Sequence, residues 1–318
     1  MRTARILIAG AGALGSLYGA FLRRAGHDVT LLGRRPHLEA IRERGLRFDG
    51  VFGEGVASDF ALADSPGGVD GPFDLIVLAV KAYDIESAAR PLVTQLARDG
   101  ALLALQNGLG HLEVLSELFG GARVLAAPVL IGATIPEPGR VRVTVYAKPV
   151  KIGSPSPAGL PLARSSAVRL AAAGIPSEPT DRLLASLWEK MLYNVALNAL
   201  GAVLRVRYGA LGERAETREI MDALIDEGFA VARAEDADLL WSDAAACRRH
   251  FYESLLPPTA AHRSSMLQDI ERRRPTEIAA LNGYVVRRAA ALGIAAPRNL
   301  VVTGLVRATE ARAEAPPR

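Results

Sequence analysis

The fold of this chain is decided by residues 6–22, which read I-L-I-A-G-A-G-A-L-G-S-L-Y-G-A-F-L. Within them, Gly10-Ala11-Gly12-Ala13-Leu14-Gly15 matches G-x-G-x-x-G, the pattern of a dinucleotide-binding turn. The apolar residues 6–9 predict a strand before the pattern, and residues 13–25 predict a helix after it. In such a turn the glycines let backbone approach a pyrophosphate, and the new helix offers free N–H groups to the phosphates. We therefore predict that these six residues bind a dinucleotide cofactor.

The choice between NAD and NADP depends on the end of the next predicted strand, residues 28–32. That strand is followed by Gly33-Arg34-Arg35. A site for NAD usually has Asp or Glu here, because a carboxylate binds the ribose 2′-hydroxyl, whereas an arginine accommodates a 2′-phosphate. Arg34 therefore indicates NADP(H), and Arg35 is the alternative if its side chain points inward instead.

A secretory signal and a membrane span are the other structures that a short apolar N-terminal run suggests. Glycines at positions 10, 12, 15 and 19 weaken a continuous apolar helix, and no clear cleavage site precedes the strand at residue 28. The run is also short for a comfortable membrane span. We therefore favour the dinucleotide site and expect no association with a membrane.

Composition narrows the class of protein. A chain of 318 residues with 50% hydrophobic side chains is long enough for two domains with ample cores. Cys247 is the single cysteine, so no intrachain disulfide can form and a reducing cytoplasm is the expected location. The net charge of +4 suits an anionic cofactor and substrate as well as nucleic acid, but only 5% of residues are aromatic and no stacking motif appears. We predict a small-molecule substrate, no nucleic-acid partner and no metal site, and a homodimer stays open.

The first half of the chain alternates strands and helices, which predicts a Rossmann-type α/β domain. Residues 74–80 form a continuous apolar run, typical of a parallel strand buried on both faces. Residues 150–153 are expected to pair antiparallel with residues 140–146. The predicted strands are 5–9, 29–32, 46–48, 56–58, 74–80, 101–105, 124–131, 140–146 and 150–153, and the further predicted helices are 36–44 and 160–173.

Polar residues follow two of these apolar strands. Lys81 comes directly after residues 74–80, and Gln106-Asn107-Gly108 follows residues 101–105. Ligands of open α/β sheets bind beyond the carboxyl ends of the strands. We therefore expect Lys81 and Asn107 to line the cofactor site.

Beyond residues 174–180, which contain two prolines, the pattern becomes almost wholly helical. It predicts a Rossmann domain over residues 1–178 and an all-helical domain over residues 179–318. The helices predicted in the second domain are 181–204, 216–234, 244–255 and 276–292.

Lys190, Asn194 and Asn198 stand four residues apart on the predicted helix 181–204. Each step turns the helix by only about 40°, so the three side chains form one stripe about 12 Å long. The stripe either lines a polar cleft or faces solvent, and the helix alone does not separate these alternatives. Glu277 begins the predicted helix 276–292, where an acid by default only compensates the helix dipole.

Four motifs in this order carry a family resemblance: G-A-G-A-L-G, the K-x-x-x-N-x-x-x-N helix, S-S-M-L-Q-D-I at residues 264–270 and R-P-T-E-I at residues 274–278. Together they resemble the ketopantoate reductase (2-dehydropantoate 2-reductase) family over about residues 5–305. The resemblance implies a Rossmann domain, a helical domain and a catalytic cleft between them. It also implies NADPH-dependent reduction of 2-dehydropantoate to (R)-pantoate, a step toward pantothenate and coenzyme A.

The resemblance further implies roles for single residues. Lys190 matches the catalytic lysine, which donates a proton and stabilises a developing alkoxide, and Glu277 matches the glutamate that keeps it charged. The substrate-binding positions are Asn194, Asn198, Ser265 and Asn107. The cofactor-binding positions are Arg34, Lys81, Asn107 and Glu277, beside the glycine turn.

The chain departs from the family pattern in three places. Residues 198–201 read N-A-L-G where the family often has N-P-L-T, Tyr208 aligns near a substrate-contacting Asn of some members, and Ala279 stands where Asp is common. These departures leave open a different 2-oxo acid or an opine-type dehydrogenase. A non-catalytic NADP(H) sensor is a third alternative, which the intact Lys190 and Glu277 disfavour.

Overall fold

A computed structural model describes residues 2–314 of the chain. Their contacts form two compact units. The first unit runs to Gln106 and resumes over His111–Leu183, and the second comprises Asn107–Gly110 and the chain from Leu184 onward. In residues 2–314, no helix has both the length and the apolar character that crossing a membrane requires.

The first unit is an α/β structure, as the alternating pattern predicts. Its strands are β1 (Arg5–Ala9), β2 (Asp28–Leu32), β3 (Leu46–Gly50), β4 (Gly55–Ala57), β5 (Ala61–Ala63), β6 (Phe73–Leu78), β7 (Leu96–Ala104), β8 (Val124–Ala126), β9 (Ile131–Glu137), β10 (Arg140–Tyr146), β11 (Val150–Ile152) and β12 (Ser177–Pro179). Its helices are α1 (Ala13–Arg24), α2 (Arg35–Arg44), α3 (Ile85–Ala89), α4 (Leu112–Phe119) and α5 (Leu160–Ala172).

A six-stranded parallel sheet, in the order β5-β2-β1-β6-β7-β8, organises the first unit. The chain leaves β1 toward β2 on one side and returns to β6 on the other, so the strand order reverses between β1 and β6. This doubly wound order confirms the predicted Rossmann-type fold. It also places the glycine turn, which follows β1, at the switch point where such sheets bind ligands.

A second sheet, β4-β3-β10-β9, shares a core with the parallel sheet through α1. Phe21 of α1 meets Phe48 of β3 with ring centroids 5.0 Å apart. On the other side of the helix, Gly15 and Gly19 face β1, since a Cβ at either position would lie 3.0 or 3.4 Å from the side chain of Ile8. Burial on both sides explains why residues 15–22 are apolar or small and fully enclosed.

Two strand predictions in this unit are wrong. Residues 124–131 form β8 in the parallel sheet and then the first residue of β9 in the second sheet; Pro128, which has no N–H for a ladder, lies between them. The predicted antiparallel partner of β10 is also incorrect, because β11 pairs in parallel with β12. Since β9 and β3 already occupy both edges of β10, no edge is left for β11.

The second unit is helical in its described residues, as predicted for the C-terminal part. Its helices are α6 (Leu183–Val203, whose first residue belongs to the first unit), α7 (Tyr208–Gly212), α8 (Ala215–Ala234), α9 (Ala244–His250), α10 (Ser265–Glu271), α11 (Asn282–Leu292) and α12 (Pro297–Glu314). The predicted helix 244–255 is α9 followed by a π-helical turn, Phe251–Leu255.

Helix α6 is the central helix of this unit, and it is buried almost all round. Gly228 allows α8 to come close to it, since a Cβ there would lie 2.8 Å from Leu192 Cδ2. Asn282 of α11 donates from Nδ2 to the carbonyl of Val195 at 3.0 Å and to Asn299 Oδ1 at 3.0 Å. These buried amide bonds fix α6 against its neighbours, which gives the side chains of α6 a rigid support.

The predicted helix 276–292 is interrupted. Residues Ile278–Ala280 form a 3₁₀ turn, and Leu281 has φ −106° and ψ −109°, outside the helical region. Helix α11 therefore begins at Asn282. Glu277 precedes the 3₁₀ turn instead of occupying the first turn of an α-helix, so the default interpretation as a dipole-compensating acid is wrong.

Candidate functional site

The glycine turn requires glycine at two of its three positions for steric reasons. Gly10 has φ +105°, and a Cβ there would lie 2.9 Å from the carbonyl carbon of Ala79. At Gly15 a Cβ would lie only 2.1 Å from the carbonyl oxygen of Gly10. No atom lies within 4 Å of a Cβ built on Gly12. The turn is therefore closed around Gly10 and Gly15 and open at Gly12, where a ligand can approach the backbone.

The same open side carries the N-terminus of α1. Gly12 is the N-cap residue, no side chain caps the helix, and its first turn contains no acidic residue. The backbone of Ala11 is fixed by a 2.8 Å bond from its N–H to the carbonyl of Leu32, and Ala13 and Leu14 are half-buried. Unpaired N–H groups at a helix N-terminus favour an anion. The turn thus fits the pyrophosphate of a dinucleotide.

Arg34 lies at the end of β2, where the sequence predicts the 2′-phosphate contact. It is the N-cap of α2 and its side chain is exposed, with no ion pair to any residue within 2–314. Arg35, the alternative, is paired with Asp64. Gly33 brings this loop to the glycine turn, because a Cβ there would lie 2.7 Å from Ala11 Cβ. Of these two arginines, Arg34 is therefore the one available to an anionic ligand.

His37 supports this region, and sequence reasoning missed it. The backbone N–H of Gly139 donates to His37 Nδ1 at 3.0 Å, so the proton is on Nε2, which donates to Ser16 Oγ at 2.9 Å. Burial lowers the pKa of His37, which keeps the ring neutral. The imidazole thereby joins the first turns of α1 and α2. The sequence carries no local signal for this role, because Gly139 lies 102 positions away.

Lys81 and Gln106 lie at the carboxyl ends of neighbouring parallel strands. Gln106 Nε2 donates to the carbonyls of Leu78 and Val80 at 2.9 and 3.1 Å, which closes the end of β6. Lys81 follows directly, half-buried, as the N-cap of the 3₁₀ turn Ala82–Asp84. The sheet therefore presents Lys81 on the edge that carries the glycine turn, as expected for a cofactor-binding residue.

The stripe on α6 faces inward. Asn194 and Asn198 are only 2% and 3% exposed, and Lys190 is half-buried. Asn198 Nδ2 donates to Asn194 Oδ1 at 3.2 Å, as residues one helical turn apart can. The alternative of a solvent-facing stripe is thus wrong for the two amides. Buried polar side chains on a mostly apolar core helix are unusual and point to a function.

The surroundings of Lys190 are aromatic. Its Nζ lies 5.3 Å from the centre of the Tyr193 ring, a distance at which a cation is attracted to the ring face. Burial, and next the positive charge of Lys190, lower the pKa of His262 to about 4. His262 is therefore neutral near pH 7.

Asn107 and Glu277 meet within the second unit. Glu277 is buried and its Oε2 accepts a hydrogen bond from Asn107 Nδ2 at 3.1 Å. The segment Asn107–Gly110 packs closely there, since a Cβ on Gly108 would lie 2.3 Å from the carbonyl oxygen of Ala280. The sequence placed Asn107 at a strand end but did not indicate its contact with Glu277. The pairing of Glu277 with Lys190 stays a prediction.

Ser264 and Tyr208 contact the α6 stripe, and both were missed as site residues. Buried Ser264 caps α10 and donates from Oγ to the carbonyl of Asn198 at 2.8 Å. The Tyr208 hydroxyl donates to Asn198 Oδ1 at 2.5 Å. Ser265, the predicted substrate-binding serine, is the first residue of α10 and is half-buried. The departure of Tyr208 from the family pattern was the one sequence signal for its position.

Comparisons with known proteins agree along nearly the whole chain. Residues 6–157 match the family "Ketopantoate reductase PanE/ApbA", and residues 182–310 match its C-terminal family. The 2-dehydropantoate 2-reductase of Aquifex aeolicus is 35% identical over 96% of this chain and 97% of that protein.

Solved structures show the same similarity. The ketopantoate reductase of Ralstonia eutropha JMP134 is 36% identical, covers 98% of this chain and 100% of its own, and has a TM-score of 0.86. A complex of D-mandelate dehydrogenase with NADH and anilino(oxo)acetate is 27% identical, with the same coverage and a TM-score of 0.89.

Proposed function

The chain belongs to the ketopantoate reductase family, and from this premise we propose that it catalyses the NADPH-dependent reduction of 2-dehydropantoate to (R)-pantoate. Within the structure, the observation that carries the proposal is the stripe on the core helix α6, in which Lys190 is half-buried and Asn194 and Asn198 are buried. A lysine followed by two amides at one-turn spacing provides a cation and hydrogen-bonding groups on one face. The reaction would contribute pantoate to pantothenate and coenzyme A biosynthesis.

The residues of the first unit fit NADP(H). The open side of the turn at Gly12 admits a pyrophosphate, and the exposed Arg34 offers a guanidinium for a 2′-phosphate. We assign cofactor binding to residues 1–178, including Lys81, and we retain Asn107 and Glu277 as proposed cofactor-binding residues. When bound, NADPH supplies the hydride that the C2 carbonyl of the substrate accepts.

Lys190 has two roles in the proposed reaction. Negative charge grows on the C2 oxygen as the carbonyl is reduced, and the Lys190 ammonium stabilises that charge. Its Nζ then donates the proton that converts the alkoxide into a hydroxyl. We propose that the buried carboxylate of Glu277 keeps this ammonium protonated, while Asn107 holds the carboxylate through its 3.1 Å bond.

The substrate-binding groups are proposed from the same helix and its neighbours. Amides and hydroxyls orient the carboxylate and hydroxyl of a 2-oxo acid, which places its carbonyl for the reaction. The proposed residues are Asn194, Asn198, Ser265 and Asn107. We assign catalysis and substrate binding to residues 179–318 together with Asn107.

Reduction of another 2-oxo acid is the second candidate. The similarity to D-mandelate dehydrogenase favours an aromatic example, benzoylformate, which is the 2-oxo acid corresponding to mandelate. Tyr208, in place of a substrate-contacting Asn, is a further reason to test substrates other than 2-dehydropantoate.

The test is NADPH oxidation by the purified protein with 2-dehydropantoate, with benzoylformate, and with each 2-oxo acid plus an amine. We expect the highest kcat/KM with 2-dehydropantoate and no dependence on the amine. A higher kcat/KM with benzoylformate would replace the first candidate by the second, and amine dependence would indicate an opine-type dehydrogenase. Binding of NADPH without turnover of any 2-oxo acid would indicate a sensor.

Location and assembly complete the proposal. Cys247 is buried in α9, which suits a protein that stays reduced, and we propose a cytoplasmic location. The homodimer stays a prediction, and light scattering of the purified protein will measure the mass of the assembly.

A further inference from the structure

The side-chain amide of Asn198 is held by protein groups at both its oxygen and its nitrogen. Its Oδ1 accepts from the Tyr208 hydroxyl at 2.5 Å and lies 3.3 Å from Ser264 Oγ. Its Nδ2 donates to Asn194 Oδ1 at 3.2 Å. An amide offers two acceptor sites and two donor hydrogens. One N–H and one acceptor site of Asn198 are therefore left for other groups, and the amide plane is fixed from both ends.

The side-chain amide of Asn194, in contrast, has a buried nitrogen that no protein group satisfies within residues 2–314. Its Oδ1 is occupied by Asn198, but its Nδ2 is buried and has no hydrogen-bond partner within residues 2–314. Leaving a buried donor unpaired is costly, so such an atom requires an explanation. Lys190 is the preceding member of the same stripe, which places this donor beside the proposed catalytic cation.

Tyr208 is well suited to begin this chain of bonds. The side chain is 2% exposed, and burial raises the pKa of Tyr208 well above its usual value, so the hydroxyl keeps its proton and donates. Its ring is held by edge contacts with Tyr193 and His262, with centroids 6.0 and 5.3 Å away. These ring contacts fix the position from which the hydroxyl donates to Asn198.

We propose that Tyr208 and Asn198 are positioning residues that act through Asn194. The bonds run from the Tyr208 hydroxyl to Asn198 and from Asn198 to Asn194 Oδ1, and they turn Asn194 Nδ2 toward an oxygen acceptor of the 2-oxo acid. This assignment rests on the proposed function and refines it: Asn194 binds the substrate, and Asn198 orients Asn194. Tyr208 thereby affects the affinity for the substrate without contacting the substrate.

Steady-state kinetics of three variants test the proposal. Tyr208→Phe keeps the ring and removes the hydroxyl, and we expect KM for the 2-oxo acid to rise roughly two- to tenfold with a smaller change in kcat. Asn194→Leu removes the direct donor to an anionic substrate, and KM should rise about 10- to 100-fold. Tyr252→Phe is the matched control, because its hydroxyl binds Asp222 elsewhere in the second unit. It should leave KM unchanged.

The double variant separates positioning from general destabilisation. If Tyr208 acts through Asn194, then Tyr208→Phe should raise KM no further when Asn194 is already Leu. An equal rise in both backgrounds, or an unchanged KM in Tyr208→Phe alone, would overturn the proposal.

A measurement without turnover distinguishes this proposal from the proposed function. In protein labelled with ¹⁵N-asparagine, Tyr208→Phe should shift the side-chain amide signals of both Asn198 and Asn194, and Tyr252→Phe should shift neither. Asn194 signals that do not respond to Tyr208→Phe would refute the positioning role even in an active enzyme. An unmutated protein that reduces no 2-oxo acid would instead refute the proposed function, and the spectra would still decide the orientation of Asn194.

Discussion

Gly12 and Gly15 offer a paired test of the cofactor site, because the structure separates their roles. A Cβ on Gly12 meets no atom within 4 Å, and the φ of −82° suits any residue. Gly12→Ala should therefore change the free energy of unfolding by less than about 1 kcal/mol, since the entropy gained in the unfolded chain and the weaker N-cap nearly offset each other. The new methyl group would, however, occupy the open side of the turn.

The expected loss of affinity follows from that position. If the methyl group prevents one backbone N–H from reaching a phosphate oxygen, about 1.5–3 kcal/mol of binding free energy is lost, which is roughly a 10- to 100-fold rise in the Kd for NADPH. Isothermal titration calorimetry measures the Kd, and urea unfolding measures stability.

Gly15→Ala is the contrasting variant. Its Cβ would lie 2.1 Å from the carbonyl oxygen of Gly10, so the turn must move, at a cost of roughly 1–3 kcal/mol or more in stability. We expect it to lose both stability and NADPH affinity, whereas Gly12→Ala loses only affinity. A Gly12→Ala protein that binds NADPH as tightly as the unmutated protein would refute the pyrophosphate assignment of this turn.

Three further predictions concern charge. Arg34→Asp should weaken NADPH binding roughly 10- to 100-fold and reduce the preference for NADPH over NADH. Arg35→Asp is the control, because Arg35 already pairs with Asp64. Equal use of NADPH and NADH by the unmutated protein would contradict the assignment of Arg34. Lys190→Ala should lower kcat by about 10²–10⁴-fold with little change in the Kd for NADPH. Adding Glu277→Gln to this variant should lower kcat little further, because the two residues act as one unit. A Lys190→Ala enzyme that keeps most of its kcat would show that the proton comes from another group. Burial, and next the charge of Lys190, lower the pKa of His262 from about 6.5 in the unfolded chain to about 4 in the folded protein, so the free energy of unfolding should fall by up to about 3 kcal/mol between pH 6.5 and pH 4. Urea unfolding across this range should show a smaller loss of stability in His262→Gln, and an equal loss in both proteins would contradict this reasoning.

Features that depend on neighbours along the chain follow from the sequence alone. The glycine turn, β1, α1 and β2 have the predicted bounds to within about a residue, because their signals are local glycines and apolar periodicity. The one-turn spacing of Lys190, Asn194 and Asn198 likewise fixed their common face.

Tertiary structure decided what depends on distant partners. The sequence did not show that residues 124–131 divide between two sheets or that β11 pairs with β12, because strand pairing depends on which edges remain available after other strands have paired. It also did not show whether the α6 stripe faces solvent or the interior. That answer requires the neighbours of α6, such as Ser264, which is 66 positions from Asn198.

The same reason separates the identity of the site residues from their arrangement. Asn107 and Glu277 are recognisable singly, yet 170 positions separate them, and no local pattern reports their hydrogen bond. Tyr208 appeared in the sequence only as a departure from a family pattern, and its bond to Asn198 became visible in the fold. Local spacing determines which side chains share a face, whereas the packing of distant segments determines which of their polar atoms are satisfied and which are left for a ligand.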